Sequence, residues 1–191
     1  MAALASFFQD WLIAALGSLA VLIAVFVPLE RLFPARSQSI FRPALATDLA
    51  FFFGQYLLWN GLSLLLLRLI SVSLWGALSV PWPMAMQCVV AVVLGDVLVY
   101  FFHRACHASS LLWRFHSVHH SSEHLDFLAA HREHPIDGIL TQLAQNLPAI
   151  ALGVSPRVLA GLAVFRGMWA IFIHSNIRLP LGPLTYLLGS P

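Results

Sequence analysis

The sequence predicts an all-α fold: a polytopic membrane helical bundle of four to five transmembrane or re-entrant helices, with a histidine-rich helical cap on the cytoplasmic side. Three observations predict it. The 191 residues are 60% hydrophobic and only 9% charged, whereas a soluble domain carries about 25% charged residues. Several apolar runs reach the roughly 20 residues that a helix needs to cross hydrocarbon. Eight of the nine histidines fall between His103 and His134, directly after one of those runs.

The first run covers residues 11–29. Residues 1–10 lack the basic region of a cleavable signal peptide, so this run reads as a membrane anchor. The second covers 49–71, with Arg68 near one end, where its side chain can reach the interface. The third covers 84–102 and encloses a single acid, Asp96. Residues 136–154 are interrupted by Gln142, Gln145, Asn146 and Pro148, and read equally as a span, half of a hairpin or a re-entrant segment. Residues 157–173 are apolar apart from Arg166, which is expected to face protein or a polar cavity. The chain thus divides into N-terminal transmembrane helices, 1–83, and a histidine-bearing region, 84–191.

All ten basic residues are arginines, and their placement orients the spans. Residues 1–10 carry none, the loop at 30–48 carries Arg31, Arg36 and Arg42, and the loop at 72–83 is uncharged. The segment 103–135 carries Arg104, Arg114 and Arg132. Basic loops stay on the cytoplasmic side. The N-terminus is therefore expected outside, and both 30–48 and 103–135 inside. The last two apolar segments would then return His174 to the same face. The arginines are too scattered for a nucleic-acid footprint. Cys88 and Cys106 make neither a CxxC nor a disulfide framework, and Cys106 reads as a small packing residue.

Asp96, Tyr100, His103 and His107 stand at offsets 0, 4, 7 and 11, which places them on one helical face. His103 and His107 are an i, i+4 pair, close enough to share a metal. His116, His119 and His120, at offsets 0, 3 and 4, also read as one helical face. Either set alone is compatible with a solvated or interfacial helix; two sets in close succession point to a metal, and imidazole suits iron and zinc alike. His131 and His134 are three apart, and Pro135 marks a new helix start. His134 is the better ligand candidate of the two, with His131 behind the ligands. His124 reads as a surface or supporting residue. His174 closes an apolar run and reads as either an interfacial residue or a ligand. Asp96, an acid inside a span, is a candidate to accept the second N–H of a ligating imidazole, or else to bond a neighbouring helix. Asp137 and Glu133 are candidates of the same kind.

The series DVLVYFFHRACH, LWRFHSVHHSSEHLDFLAAHREHP and IHSN resembles the fatty acid hydroxylase / sterol desaturase superfamily, in order and spacing, from about residue 30 (ERLFP) to the chain's end. The resemblance implies His103 and His107 as a first box, His116, His119 and His120 as a second, and His134 and His174 as further ligands. It implies two non-haem iron ions, with zinc as a possible substitute. It further implies O2-dependent hydroxylation or desaturation of a lipid (a fatty acid, sterol or related molecule) drawn from the bilayer, and a separate electron donor, a reductase or cytochrome. The superfamily's third box, HxxHH, does not occur before Pro191. The chain is therefore expected to be a fragment or a truncated product with an incomplete ligand set. Two other readings stand beside the enzyme: a non-catalytic metal-binding membrane protein, and a membrane haem electron carrier.

Overall fold

The computed structural model describes residues 2–59, 61–63, 65–70, 82–179 and 182, with side chains from residue 8 onward. The uncharged loop at 72–83 falls almost wholly outside the described residues, as does the chain after 182. The fold is all-α, as expected. Helix α1 is Ala2–Leu32, α2 Leu45–Gly54, α3 Met84–Ala108, α4 Ser110–His116, α5 Pro135–Ala151 and α6 Pro156–His174. Helix α2 continues through a π turn, Gln55–Trp59, toward Ile70.

Among the described residues four helices are long and apolar enough to cross a membrane: Phe8–Leu32, Leu45–Ile70, Met84–Ala108 and Pro156–His174. Only 11% to 17% of the residues in their most apolar stretches are buried by the protein itself. Ile13, Val89, Val93 and Val164 are each more than half exposed. In water such surface would cost about 25 cal/mol per Å², so lipid must cover it. The protein is a multi-pass membrane protein. The doubtful segment at 136–154 is α5, a 17-residue helix that buries Asp137 and Asn146.

The chain folds as two compact units. One comprises Met1–Leu58, His119–Arg132 and Met168–Pro191; the other comprises Trp59–Val118 and Glu133–Gly167. In the first unit, Phe26 of α1, Phe52 of α2, Phe127, Leu128, Ile171 of α6 and Ile177 form the core. Buried ion pairs sit beside it. Arg42 grips Asp126 through Nε and Nη2, both at 2.6 Å, and its Nη2 lies 2.6 Å from Asp48 Oδ2. Arg132 Nε donates to the other oxygen of Asp48. Burial works against the Arg42 charge, but its bonds to Asp126 and Asp48 outweigh that effect and raise its pKa. Glu30, near the end of α1, accepts the backbone N–H groups of Phe127 at 2.8 Å and Asn176 at 3.0 Å. Two distant segments are thereby fixed to one helix end.

In the second unit α3 packs against α5, and α4 against both. Ala91, Ala149, Val154 and Val158 are buried together. Arg166 would be costly inside a span if left unsatisfied; its guanidinium donates to Ala91 O and to Asn146 Oδ1. Gly95 makes room for it, because a Cβ there would lie 2.5 Å from Arg166 Nη2. Helix α5 ends in a turn at Gly153, whose φ of 81° is the left-handed geometry that glycine accepts. The Val154 N–H closes that turn on Ala149 O at 3.0 Å.

His131, in a 3-10 turn (Ala129–His131), is a core residue of the first unit. Its ring meets Phe52 edge-on at 4.9 Å, and its Nδ1 lies 2.6 Å from Gln55 Oε1. Burial lowers its pKa to about 4, against the opposing pull of Asp48. The unfolded chain, with an ordinary histidine pKa of about 6.5, then binds a proton between these values that the folded chain refuses. Stability is therefore expected to fall as pH is lowered from 7 to 5. His131→Gln should shrink that fall, measured as the shift in thermal midpoint between the two pH values. Identical shifts in the variant and the parent would contradict the assignment.

Candidate metal centre

The second unit gathers His103 and His107 from α3 and His116 from α4. Ring centroids lie 4.8 Å apart for His103 and His107, 4.5 Å for His103 and His116, and 5.1 Å for His107 and His116. The i, i+4 spacing on α3 brings the Nε2 atoms of His103 and His107 to 3.1 Å. Ser109 sets the angle of the third ring: it ends α3 in an extended conformation and caps α4 by accepting the Leu112 N–H. His116 is buried, and its Nδ1 stands 2.8 Å from Asp137 Oδ2. A carboxylate can only accept there, so Nδ1 carries the proton and Nε2 carries the lone pair. Asp137 lies in the first turn of α5, where the helix dipole favours a negative charge. Cys106 is fully buried and points its Sγ at Asp137 Oδ1, 3.9 Å away.

The first unit brings His119 and His174 together. His119 Nε2 and His174 Nε2 face each other at 3.0 Å. The other nitrogen of each ring meets a backbone carbonyl: His119 Nδ1 at 3.1 Å from Arg132 O, and His174 Nδ1 at 2.7 Å from Ala170 O. A carbonyl cannot donate, so both Nδ1 atoms are protonated. In neutral rings two lone pairs then point at each other, which is repulsive unless a cation lies between them. The distance suits a metal. Two imidazoles bound at right angles to one ion at about 2.1 Å would place their nitrogens roughly 3.0 Å apart. The His120 ring centroid is 5.2 Å from that of His119. His119 and His174 are both imidazole donors with a proton fixed on the far nitrogen, and such a pair fits iron or zinc.

Several expectations change at this point. His116, His119 and His120 do not share one helical face. Helix α4 ends at His116, the chain turns at Ser117 and Val118, and His119 opens a 3-10 turn (His119–Ser121). Ser117 Oγ donates to Arg114 O, and β-branched Val118 follows; neither residue favours continuing a helix. The break sends His116 to one group and His119 to the other. Asp96 is exposed on α3, a rise of about 10 Å from His103; the carboxylate that meets a ring N–H is Asp137. Tyr100 is exposed and accepts from Arg104 Nη1 at 3.3 Å. His134 caps α5: its Nδ1 accepts the Ile136 N–H at 3.2 Å, and its ring lies 5.0 Å from Phe115. That bond keeps the His134 proton on Nε2. Two groups that orient the site escaped the sequence reading, the carbonyls of Arg132 and Ala170, because a backbone carbonyl has no sequence signature.

Asp137→Asn keeps the shape but removes the charge that holds the His116 proton. Metal release to a chelator from the second unit is expected to speed up, corresponding to roughly 10- to 100-fold weaker binding. Unchanged release would remove Asp137 from the site.

Residues 88–191 match the family model described as fatty acid hydroxylase. The chain is 31% identical over 110 residues to the ornithine lipid hydroxylase OlsE of Rhizobium tropici, a stretch covering 58% of this chain and 33% of that protein. It is 32% identical over 114 residues to an alkylglycerol monooxygenase of Danio rerio, covering 60% and 25% of the two chains. To a lathosterol oxidase of Mus musculus it is 33% identical over 86 residues, covering 44% and 29%. The matched stretch is thus a quarter to a third of each relative's length. No solved structure matches. The motif order read from the sequence, the facing imidazoles and the match over more than half of the chain agree: the protein belongs to the fatty acid hydroxylase family.

Proposed function

We propose that this chain carries the metal-holding helices of a membrane-bound, O2-dependent di-iron enzyme that hydroxylates or desaturates a lipid. The observation that carries the reading is the pair of histidine groups, one in each unit, with imidazole nitrogens about 3 Å apart. Two groups suit two ions. His103, His107 and His116 would hold one, and His119 and His174 would hold the other. His134, occupied as a helix cap, is better read as a positioning residue. Zinc would satisfy the same donors; the redox chemistry of the named relatives favours iron.

When bound, iron would supply the O2 reduction that breaking an unactivated C–H bond requires, which side chains alone cannot do. The protein's own residues supply orientation. Asp137 holds a proton on His116 Nδ1, and the Arg132 and Ala170 carbonyls hold protons on His119 and His174. Each ring is thereby aimed through Nε2. The relatives' names point to an ornithine lipid, an alkylglycerol and a sterol. All are lipids with a polar head, which supports a lipid substrate entering from the bilayer. The arginines of 30–48 and 103–135 support a cytoplasmic histidine face, open to an electron-donating reductase or cytochrome. A porphyrin plane does not fit between nitrogens 3.0 Å apart, which weighs against the haem-carrier reading.

The test is turnover of bilayer lipids under ¹⁸O2 with a reductase, followed by mass spectrometry. A product carrying one ¹⁸O atom, or one lacking two hydrogens, is expected. Its yield should collapse in His174→Ala together with metal content. No product across fatty acyl, ether-lipid and sterol substrates from metal-loaded protein with a full set of ligands would contradict the proposal.

A further inference from the structure

The first unit contains a cavity of about 410 Å³ whose lining includes none of the histidines. That size lies in the range of about 300–1,000 Å³ typical of small-molecule sites. Leu19, Ile23 and Val27 line it at i, i+4 and i+8, a single stripe along α1. Leu45 and Leu49 line it from one face of α2. Both helices belong to membrane-crossing spans. From Leu19 to Arg31 the lining rises about 18 Å along α1, close to half of a hydrocarbon core about 30 Å thick. The stripe thus covers the depth of one leaflet.

At its upper end the lining changes character. Arg31, Arg36, Ser37, Gln38 and Ser39 form the rim. Both arginines are exposed. The two acids in the same wall are already engaged: Glu30 Oε1 accepts two backbone N–H groups, and Asp126 is gripped by Arg42. The rim is therefore cationic. Hydroxyls, an amide and two guanidinium groups above an apolar trough one leaflet deep match the chemistry of one ligand class.

We propose that this groove binds a membrane phospholipid with an anionic head group, its acyl chain lying along Leu19, Ile23 and Val27 and its phosphate between Arg31 and Arg36. This lipid site is separate from the histidine groups and does not depend on their role. Neither feature suffices alone: a bare apolar trough would take any tail, and a bare basic rim would take any anion.

The experiment uses the protein in phosphatidylcholine nanodiscs with a trace of phosphatidylglycerol carrying a photoreactive group on its acyl chain. Cross-links are expected on peptides holding residues 19–27 and 45–49. Unlabelled phosphatidylglycerol should compete them away. Diacylglycerol, which lacks the phosphate, and glycerol 3-phosphate, which lacks the tail, should not. Arg31→Gln with Arg36→Gln should weaken phosphatidylglycerol competition by roughly 30-fold, at about 1 kcal/mol per arginine. Ile23→Trp, which fills the trough from an exposed position, should abolish labelling, with far-ultraviolet circular dichroism unchanged. Cross-links elsewhere on the chain would overturn the proposal. So would equal competition by diacylglycerol, or a double arginine variant that behaves like the parent.

Discussion

Two imidazole nitrogens that face each other with their lone pairs inward cannot rest at 3.0 Å without positive charge between them. His119 and His174 stand in that relation, and their far nitrogens are committed to carbonyls. Once Nδ1 of each ring donates to the backbone, Nε2 of each ring is left as an acceptor, and a cation between the two satisfies both. His116 repeats the device with a buried carboxylate in place of a carbonyl. The two units thus use one principle with different partners: a fixed proton on one side of the ring makes the other side a metal donor.

Holding such rings still takes more than the rings themselves. Arg132, whose carbonyl orients His119, is pinned by its own side chain to Asp48, and Asp48 is shared with Arg42. Removing one partner from a buried pair of this kind costs about 3–5 kcal/mol, because the other charge is left without compensation. The ion pairs and Glu30 tie segment 119–132 and the end of α6 to the helices that carry them. The same segment runs past the lipid groove through Asp126, Phe127 and Leu128.

Much of this was legible in the sequence. Runs of about 20 apolar residues gave the spans because a lipid-facing helix has no alternative to being apolar along its length. Offsets of 4 between His103 and His107, and Pro135 as a helix start, survive in the structure because both depend on local geometry alone. The reading failed where tertiary contacts decide. A continuous helix through His116, His119 and His120 was a fair inference from spacing, yet Ser117 and Val118 break it, and the break distributes the histidines between two groups. Asp96 and Asp137 were equivalent by residue type; only the packing of α5 against α3 and α4 brings Asp137 to His116. His131 was indistinguishable from its neighbours until Phe52 and Gln55 closed around it.

The most direct test of the account is anomalous diffraction at the iron edge from crystals of the iron-loaded protein. The account places an anomalous peak about 2.1 Å from both His119 Nε2 and His174 Nε2, and a second peak among His103, His107 and His116. Crystals with no peak between His119 and His174, and with the two nitrogens still facing each other at hydrogen-bond distance, would show a shared proton there instead. The metal reading of that pair would then be wrong.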